Sequence, residues 1–358
     1  MKKTISLLMI LSLLAVSCYV EVEIPVGDEE PVGVMNAQLN TMEPVHVVYL
    51  SVSRKNRVQA LAGADVRVSV NGVPVATAEE VPAYYDGEWE TAYVFEADFL
   101  PGDEVRIEAR QGKIVLSATV TVLPPVTISS VDTSSVKMTY MGETDDYVQA
   151  KTTFRDLPGA NYYRVYGRVV DDFSYLDEEG NPIPGYSGTA ETELWMETGF
   201  DPIISEGAGK TGGADLMTLL SDGNSYSCFS DHPFSGEVCT IRPLFHSYSF
   251  QLEDYYYGIY LPEGMQDENY WEVLSALPRE VHRRATVQLR TLDLTQYHYL
   301  KALENLDTFG TEMNFLVEPT TLPSNVEGGL GFVGIETVAE YLFYEETRTY
   351  PALDTIYY

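Results

Sequence analysis

Two cysteines and two histidines lie close together in the second half of the chain, where they could form a disulfide or hold a metal ion. Cys228 and Cys239 flank a turn-rich segment that contains His232, and His246 follows shortly after. This spacing matches none of the common zinc patterns. In an exported chain, a pair of cysteines favours oxidation. We therefore expect a disulfide between Cys228 and Cys239 that closes a hairpin tip, and no metal site.

A glycine-rich segment near the end of the chain has the spacing of a dinucleotide-binding loop. It reads Gly329-Leu330-Gly331-Phe332-Val333-Gly334. Such a loop must connect a strand to a helix. Here an extended segment precedes the glycines, and the sequence that follows them has the pattern of a strand, not of a helix. We interpret it as a bend at which two backbones pass closely. The chain also lacks G-x-S-x-G and any H-x-x-x-H pair, so we expect no catalytic residue and no cofactor.

Acidic residues are so numerous that pairs of carboxylates say little about catalysis. Asp171 and Asp172 are adjacent, and residues 177–179 read Asp-Glu-Glu just before Gly180 and Asn181. We expect these acids on a solvated face, with a turn at residues 177–181. Weak binding of a divalent cation through the same oxygens is the alternative.

Tyrosine is the remaining residue type that could mark a site, with 26 copies in the chain. Two clusters of aromatic residues could supply amphipathic contact surfaces for a sugar, a peptide or a protein. Ordinary packing of alternate strand residues is the alternative. The candidate binding-surface residues are Tyr84, Tyr85, Trp89, Tyr255, Tyr256, Tyr257 and Tyr260.

Residues 1–17 have the pattern of a secretory signal peptide. A basic start precedes an apolar run at residues 5–16, which is too short for a comfortable membrane span. The junction Leu14-Ala15-Val16-Ser17-Cys18 resembles a bacterial lipobox, in which the cysteine thiol is acylated. Two or three acyl chains hold a protein on a membrane essentially permanently. We expect lipidation at Cys18; an ordinary signal peptide with an incidental cysteine is the alternative.

The chain is strongly acidic, with 22 Lys and Arg residues against 54 Asp and Glu residues and a formal net charge of −32. Because nucleic-acid binding requires clustered cations, this balance excludes nucleic acid as a default partner. Lys2 and Lys3 are the only charged residues of the signal peptide, so the mature chain carries −34. The hydrophobic fraction of 45% still provides enough apolar residues for packed cores.

Residues 18–33 contain the lipid site and then acids, proline and glycine, which is typical of an extended tether. Acidic residues close behind the lipidated cysteine resemble the surface-export signals of Bacteroidota lipoproteins. We therefore expect a lipid anchor in the outer membrane with the protein facing the cell exterior. An anchor that faces the periplasm is the alternative.

Residues 34–126 predict an antiparallel β-sandwich of immunoglobulin-like size. Apolar residues alternate at 45–52, 66–70 and 105–109, and Asn71-Gly72 predicts a hairpin turn. Many short strands at regular spacing are typical of a sandwich.

Residues 127–358 predict a larger β-rich domain with one or two helices. Strands are predicted at residues 162–170 and 285–292, and the Asp-, Glu- and Gly-rich stretch at 171–213 predicts surface loops around one strand near Trp195. A second, weaker helix pattern covers residues 268–277.

The stronger helix pattern begins after Asp293. Asp293 and Gln296 have the spacing of a capping box, and Gly310 stands where the helix would end. The apolar stripe that we expect to face the core consists of Tyr299, Leu303 and Leu306.

Several segments together carry a family resemblance. They are the lipobox at Cys18, the sandwich that ends before Pro124-Pro125, residues 161–165, residues 229–236, the helix at 295–306 and the segment from Pro323 to Gly334. With these features the chain resembles a family of Bacteroidota outer-membrane lipoproteins of unknown function that are found with TonB-dependent receptors. The resemblance covers nearly the whole mature chain. It implies this location, this architecture and a TonB-dependent receptor as partner, and it supplies no catalytic residue.

We therefore predict a mainly β, surface-exposed outer-membrane lipoprotein that is not an enzyme. It would act as an accessory or ligand-capture protein in TonB-dependent nutrient uptake. A structural or adhesive, fimbria-associated surface lipoprotein is the first alternative, and a hydrolase is the second. The sequence leaves the class of ligand open.

Overall fold

The computed structural model describes residues 31–54, 57–85, 88–140, 143–206, 226–250, 277–309 and 322–351. The predicted signal peptide, Cys18 and most of the predicted tether lie outside these residues, as does the second predicted helix apart from Leu277. Within these ranges the chain is mainly β, as predicted. No helix of the described part is long and apolar enough to span a bilayer.

Nineteen strands, one α-helix and one 3₁₀ helix make up the described chain. The first nine strands are β1 Val32–Asn40, β2 Val45–Arg54, β3 Arg57–Ala60, β4 Asp65–Val70, β5 Val73–Thr77, β6 Glu79–Tyr85, β7 Glu88–Glu96, β8 Glu104–Gln111 and β9 Ile114–Thr121. The next eight are β10 Thr127–Tyr140, β11 Glu143–Arg155, β12 Tyr162–Leu176, β13 Pro182–Glu193, β14 Met196–Glu197, β15 Cys228–Ser230, β16 Val238–Ile241 and β17 Leu244–His246. The 3₁₀ helix Ser247–Phe250, strand β18 Arg279–Leu292, helix α1 Leu294–Phe309 and strand β19 Val333–Tyr350 follow.

Strands β1 to β9 form a two-layer sandwich around one apolar core. One layer has the order β6-β7-β2-β1, and the other has the order β5-β4-β8-β9. Alternate residues of both layers point inward, so that Met35, Leu50 and Ile107 are fully or almost fully buried. Asn71 and Gly72 have φ values of 52° and 76°, which confirms the predicted hairpin turn between β4 and β5.

A C-terminal segment, residues 326–336, packs against this sandwich and adds a strand to one of its layers. The backbone of Glu327 exchanges hydrogen bonds with the backbone of Ser117 on β9. The backbone of Leu330 does the same with two residues of β1, since its N–H donates to Gly33 and its carbonyl accepts from Met35. Strand β19 then pairs with β1 in parallel, the one parallel pair among the described strands. Val326, Val333 and Ile335 from this segment lie in the core of the sandwich. A single sheet therefore runs from the N-terminal region into the C-terminal one.

The glycines of residues 328–334 make this packing possible. A Cβ atom on Gly331, whose φ is +114°, would lie 2.1 Å from the carbonyl oxygen of Met35. A Cβ atom on Gly329 would lie 2.3 Å from the carbonyl oxygen of Gly33. The interpretation of this segment as a close approach of two backbones is confirmed, and the partner backbone is β1.

The C-terminal region packs two sheets against each other. The large sheet continues as β19-β18-β12-β13, and a second sheet has the order β10-β11-β17-β14. Their shared core contains Phe154, Val165, Phe245 and Val287, all essentially buried. At Gly167 on β12 the two sheets are in tight contact, since a Cβ atom there would lie 2.3 Å from the ring of Phe245.

The predicted surface loops at residues 171–193 are in fact a long hairpin of β12 and β13. The prediction of a solvated face was also wrong for Asp171, which is 5% exposed. Its carboxylate accepts two hydrogen bonds from Arg283 on β18, at 2.7 and 2.6 Å. Acids hid this strand in the sequence because their partners are arginines on a strand more than a hundred residues away. The predicted turn after β12 is confirmed, since Asp177 Oδ1 accepts the backbone N–H of Asn181 at 2.8 Å.

Helix α1 begins where predicted. The carboxylate of Asp293 accepts the backbone N–H of Gln296 at 2.8 Å, which is an N-cap bond. The expected reciprocal half of a capping box is absent, because the Gln296 side chain is fully buried and donates to Glu336 at 3.4 Å. Tyr299 stacks on Phe332 with ring centroids 4.5 Å apart, so the helix packs on the segment that returns to the sandwich.

Candidate functional site

The structure tests little of the predicted tyrosine surface. Tyr255, Tyr256, Tyr257 and Tyr260 lie outside the described residues. Tyr84 and Trp89 are directly opposite each other in the register of β6 and β7, and Tyr85 is opposite Glu88. The binding role of both clusters stays a prediction.

A different group of aromatic side chains lies on the outer face of the second sheet. We call it the aromatic face and define it by four residues: Tyr147 on β11, Trp195 just before β14, His246 on β17, and Tyr248 in the 3₁₀ helix. Strand alternation places them there, because Tyr147 is directly opposite His246 in the antiparallel register. Their neighbours Leu194, Met196 and Phe245 point the other way, into the core between the sheets.

The core anchors the strands that carry this face. Leu194 and Phe245 are buried against Gly167 on β12, and the backbone N–H of Leu194 donates to the Gly167 carbonyl at 2.9 Å. The backbone N–H of His246 donates in turn to the carbonyl of Trp195 at 3.0 Å. The aromatic rings are therefore held on a rigid two-sheet scaffold.

Four ring contacts build the aromatic face. The centroids of Tyr147 and His246 are 4.5 Å apart, and those of His246 and Tyr248 are 5.0 Å apart. The Trp195 ring meets both His246, at 5.7 Å, and Tyr248, at 6.2 Å, edge to face. Tyr147 is covered by this arrangement and is 5% exposed, whereas Trp195 is 66% exposed and Tyr248 is 47% exposed. The cluster thus has a buried base and a large open aromatic surface.

Two carboxylates flank the aromatic face. Asp145 and Glu197 are each two residues along a strand from an aromatic member, so they lie on the same side of the sheet. Burial, followed by the negative charges of Glu197 and Asp145, raises the pKa of Tyr147 to about 12. Burial and Asp145 raise the pKa of Tyr248 as well. Both phenols keep their protons at neutral pH, and the charges that act on them from nearby carboxylates are negative.

Sequence reasoning missed the aromatic face because a run of three consecutive tyrosines was more conspicuous. The available signal was alternation: in Leu194-Trp195-Met196-Glu197 the tryptophan shares its side with a glutamate, opposite two apolar residues. That pattern places Trp195 outward on a strand. The grouping with Tyr147 and Tyr248 could not be deduced, because it depends on which distant strands pair.

The predicted disulfide is not formed, since Cys228 and Cys239 are not bonded to each other. Cys228 is directly opposite Arg164 on β12, so its side chain points towards α1. Cys239 on β16 points into the core between the two sheets. A layer of sheet therefore separates the two thiols. Burial raises the pKa of each thiol to about 12.

A buried polar network joins the large sheet to α1. Glu336 on β19 is 3% exposed and accepts hydrogen bonds from Arg290 at 2.6 Å and from Arg164 at 3.3 Å. Arg290 also donates to Gln288 at 2.7 Å and lies over the ring of Tyr166, 4.1 Å from its centroid. Because these groups are mostly buried and each contacts another protein group, we interpret the network as a structural connection between elements.

Within the described ranges, no three His, Cys, Asp or Glu side chains converge on a point where they could hold a metal ion. His232 and His246 do not join the two cysteines in one cluster there.

Comparison with known proteins identifies the family of this chain. A family described as a domain of unknown function (DUF4249) matches residues 20–341. The chain matches no curated protein and no solved structure. The prediction of a family of unknown function is confirmed by this match, which covers both the sandwich and the C-terminal region. The chain belongs to the DUF4249 family of domains of unknown function.

Proposed function

We propose that this protein is a lipid-anchored accessory of the outer membrane that faces the cell exterior and captures a ligand for a TonB-dependent receptor. It binds and presents the ligand without catalysing a reaction. Cys18 carries the anchor in this proposal. The first support is the sequence of the amino terminus, and the second is the resemblance described above.

The observation that carries the proposal is the aromatic face. Trp195 leaves two thirds of its surface in water, although a tryptophan gains more than any other side chain from burial. Tyr248 adds a second open ring at 47% exposure, edge to face with the first. Exposed, rigidly supported aromatic clusters of this kind are characteristic of binding surfaces.

The charge of the chain supports a lipid anchor. A mature chain with a formal net charge of −34 is repelled by an anionic bacterial surface. Acyl chains at Cys18 overcome this repulsion, and the acidic residues that follow keep the folded body solvated. In this proposal the lipid anchor attaches the protein to the membrane, and the aromatic face binds the ligand.

Co-purification from detergent-solubilised outer membranes tests the proposal. The wild-type lipoprotein should retain a TonB-dependent receptor, and Trp195→Ala should reduce either this retention or ligand uptake. Val73→Ala, at an exposed valine (61% exposed) on the hairpin of the other region, is the matched control and should change neither. Cys18→Ala should release the protein from the membrane. Normal uptake after deletion of the gene, together with no receptor in the purified material, would contradict the proposal.

A further inference from the structure

We propose that the ligand of the aromatic face is a cation, namely the guanidinium or ammonium side chain of a basic peptide segment. This inference rests on the proposed function and names the chemical class that the same surface selects.

The first argument is the type of surface that the rings present. Trp195 and Tyr248 meet edge to face, so their exposed ring faces do not cover each other. The faces of aromatic rings carry the negative side of the ring quadrupole and attract cations within about 6 Å of the centroid, with tryptophan the strongest. The 66% exposure of Trp195 leaves room for a planar guanidinium to stack on it.

The second argument is the charge around the rings. Asp145 and Glu197 stand on the same side of the sheet as the aromatic face, one on each flanking strand. On β11, the nearest basic residue on this side is Lys151, four positions or about 13 Å from Tyr147 along the strand. Lys137, on the neighbouring strand, pairs with Asp146 on the opposite side. Arg242, an exposed residue just before β17, is likewise four positions from His246. Along the strands, the nearest charged neighbours of the aromatic face are therefore Asp145 and Glu197, each two positions from an aromatic member, whereas Lys151 and Arg242 are four positions away.

The third argument is the field of the whole protein. A formal net charge of −32 attracts cations from a distance and repels anions, so it enriches basic segments at the surface before any contact is made. A neutral sugar could stack on the same tryptophan, but it would gain nothing from this charge. The combination of open rings, flanking carboxylates and acidic body selects a cation over a neutral ligand.

Peptide binding to the detergent-solubilised full chain tests the inference. The probe is a short arginine-rich peptide, and its matched control is the same peptide with citrulline, a neutral isostere, in place of arginine. We expect the arginine peptide to bind at least about tenfold more tightly than the citrulline peptide, with a difference that shrinks at high salt.

Three variants locate the site. Trp195→Ala should weaken binding of the arginine peptide about five- to thirtyfold, because it removes the main cation–π partner. Glu197→Gln should weaken it about two- to fivefold at low salt and less at high salt. Glu79→Gln removes the same charge from an exposed position on β6 and should leave the affinity unchanged within about twofold.

Two results would overturn the inference. One is equal binding of the arginine and citrulline peptides. The other is salt-independent binding of a neutral oligosaccharide that depends on Trp195. If either occurs while Trp195→Ala still impairs receptor retention or uptake, the class of ligand is wrong and the proposed function stands. If Trp195→Ala impairs neither peptide binding nor uptake, both fall.

Discussion

Replacing Glu336 by glutamine removes the carboxylate that lies between two guanidinium groups at the junction of the two regions. Glu336 is 3% exposed, and the side chains of Arg164 and Arg290 are 17% and 14% exposed. Burial acts to lower the pKa of Arg164, but Glu336 and other neighbours outweigh it and raise that pKa. Because a guanidinium keeps its proton in proteins even without a partner, the two arginines stay charged when the carboxylate is removed. The variant Glu336→Gln leaves two positive charges, largely out of water, without their counter-ion.

The expected cost follows from this geometry. Breaking a buried ion pair by removal of one partner typically costs about 3–5 kcal/mol, because the remaining charge is left uncompensated. The glutamine carbonyl can still accept one of the two hydrogen bonds, and the arginines keep some contact with water. We therefore expect the lower end, about 3 kcal/mol, for Glu336→Gln. This is a large part of the total stability of about 5–15 kcal/mol that is usual for a folded protein.

Urea unfolding, followed by circular dichroism and by tryptophan fluorescence, measures this cost. The matched control is Glu345→Gln on the same strand, whose carboxylate is 53% exposed and pairs with His282 at 2.9 Å. The control should lose less than about 0.5 kcal/mol. Adding Arg290→Met to Glu336→Gln should recover part of the loss, because one stranded charge is removed. A loss below about 1 kcal/mol for Glu336→Gln, or a further loss on adding Arg290→Met, would refute the reasoning.

Three other predictions concern the thiols, a glycine and the helix cap. In a Cys18→Ser background, burial should protect Cys228 and Cys239 from thiol reagents at pH 8. Unfolding should then expose two thiols that react with the reagent. If no thiol reacts after unfolding, the two cysteines form the disulfide. The folded thiols keep their protons up to about pH 12, whereas unfolded thiols ionise at about pH 8.5. Stability should therefore fall as the pH rises above about 8.5, because ionisation then favours the unfolded state. Gly331→Ala should lower the free energy of unfolding by about 3 kcal/mol in the same urea assay, because residue 331 has a φ of +114° and a Cβ atom there would lie 2.1 Å from the carbonyl oxygen of Met35. Gly112→Ala, which has open space around it, is the control and should cost about 1–2 kcal/mol. Asp293→Ala should cost about 1 kcal/mol and Asp293→Asn much less, since asparagine also caps helices.

Local patterns predicted the elements that depend on local interactions. Alternation and the Asn71-Gly72 turn were sufficient for strands such as β2, β4 and β8, and Asp293 was sufficient for the start of α1. The hairpin of β12 and β13 was missed, because its buried acid Asp171 is tolerated only through Arg283 on another strand. A local stretch of sequence around Asp171 does not include Arg283, so the aspartate is predicted to be solvated.

The pairing of β1 with β19 shows a second limit of sequence reasoning. The glycines at residues 328–334 indicated a close approach of two backbones, and Gly331 indeed leaves no room for a side chain. The other backbone belongs to β1, almost three hundred residues earlier in the chain. The glycines indicate that another backbone passes closely, but they do not indicate which one. The partner strand could therefore not be inferred from the sequence.

The acidic balance of the chain and the aromatic face fit together physically. In the buried network and the Asp171 pair, three guanidiniums from Arg164, Arg283 and Arg290 are withdrawn from the surface together with only two carboxylates. Buried carboxylates elsewhere, such as Asp156, Asp201 and Asp231, offset this difference, so the surface that a partner meets keeps the acidic character of the composition. Open rings with carboxylates beside them bind a cation best on a surface where few basic groups compete for them. The arginines that are used internally are thus not available on the surface, where they would compete with a cationic ligand for the outer face.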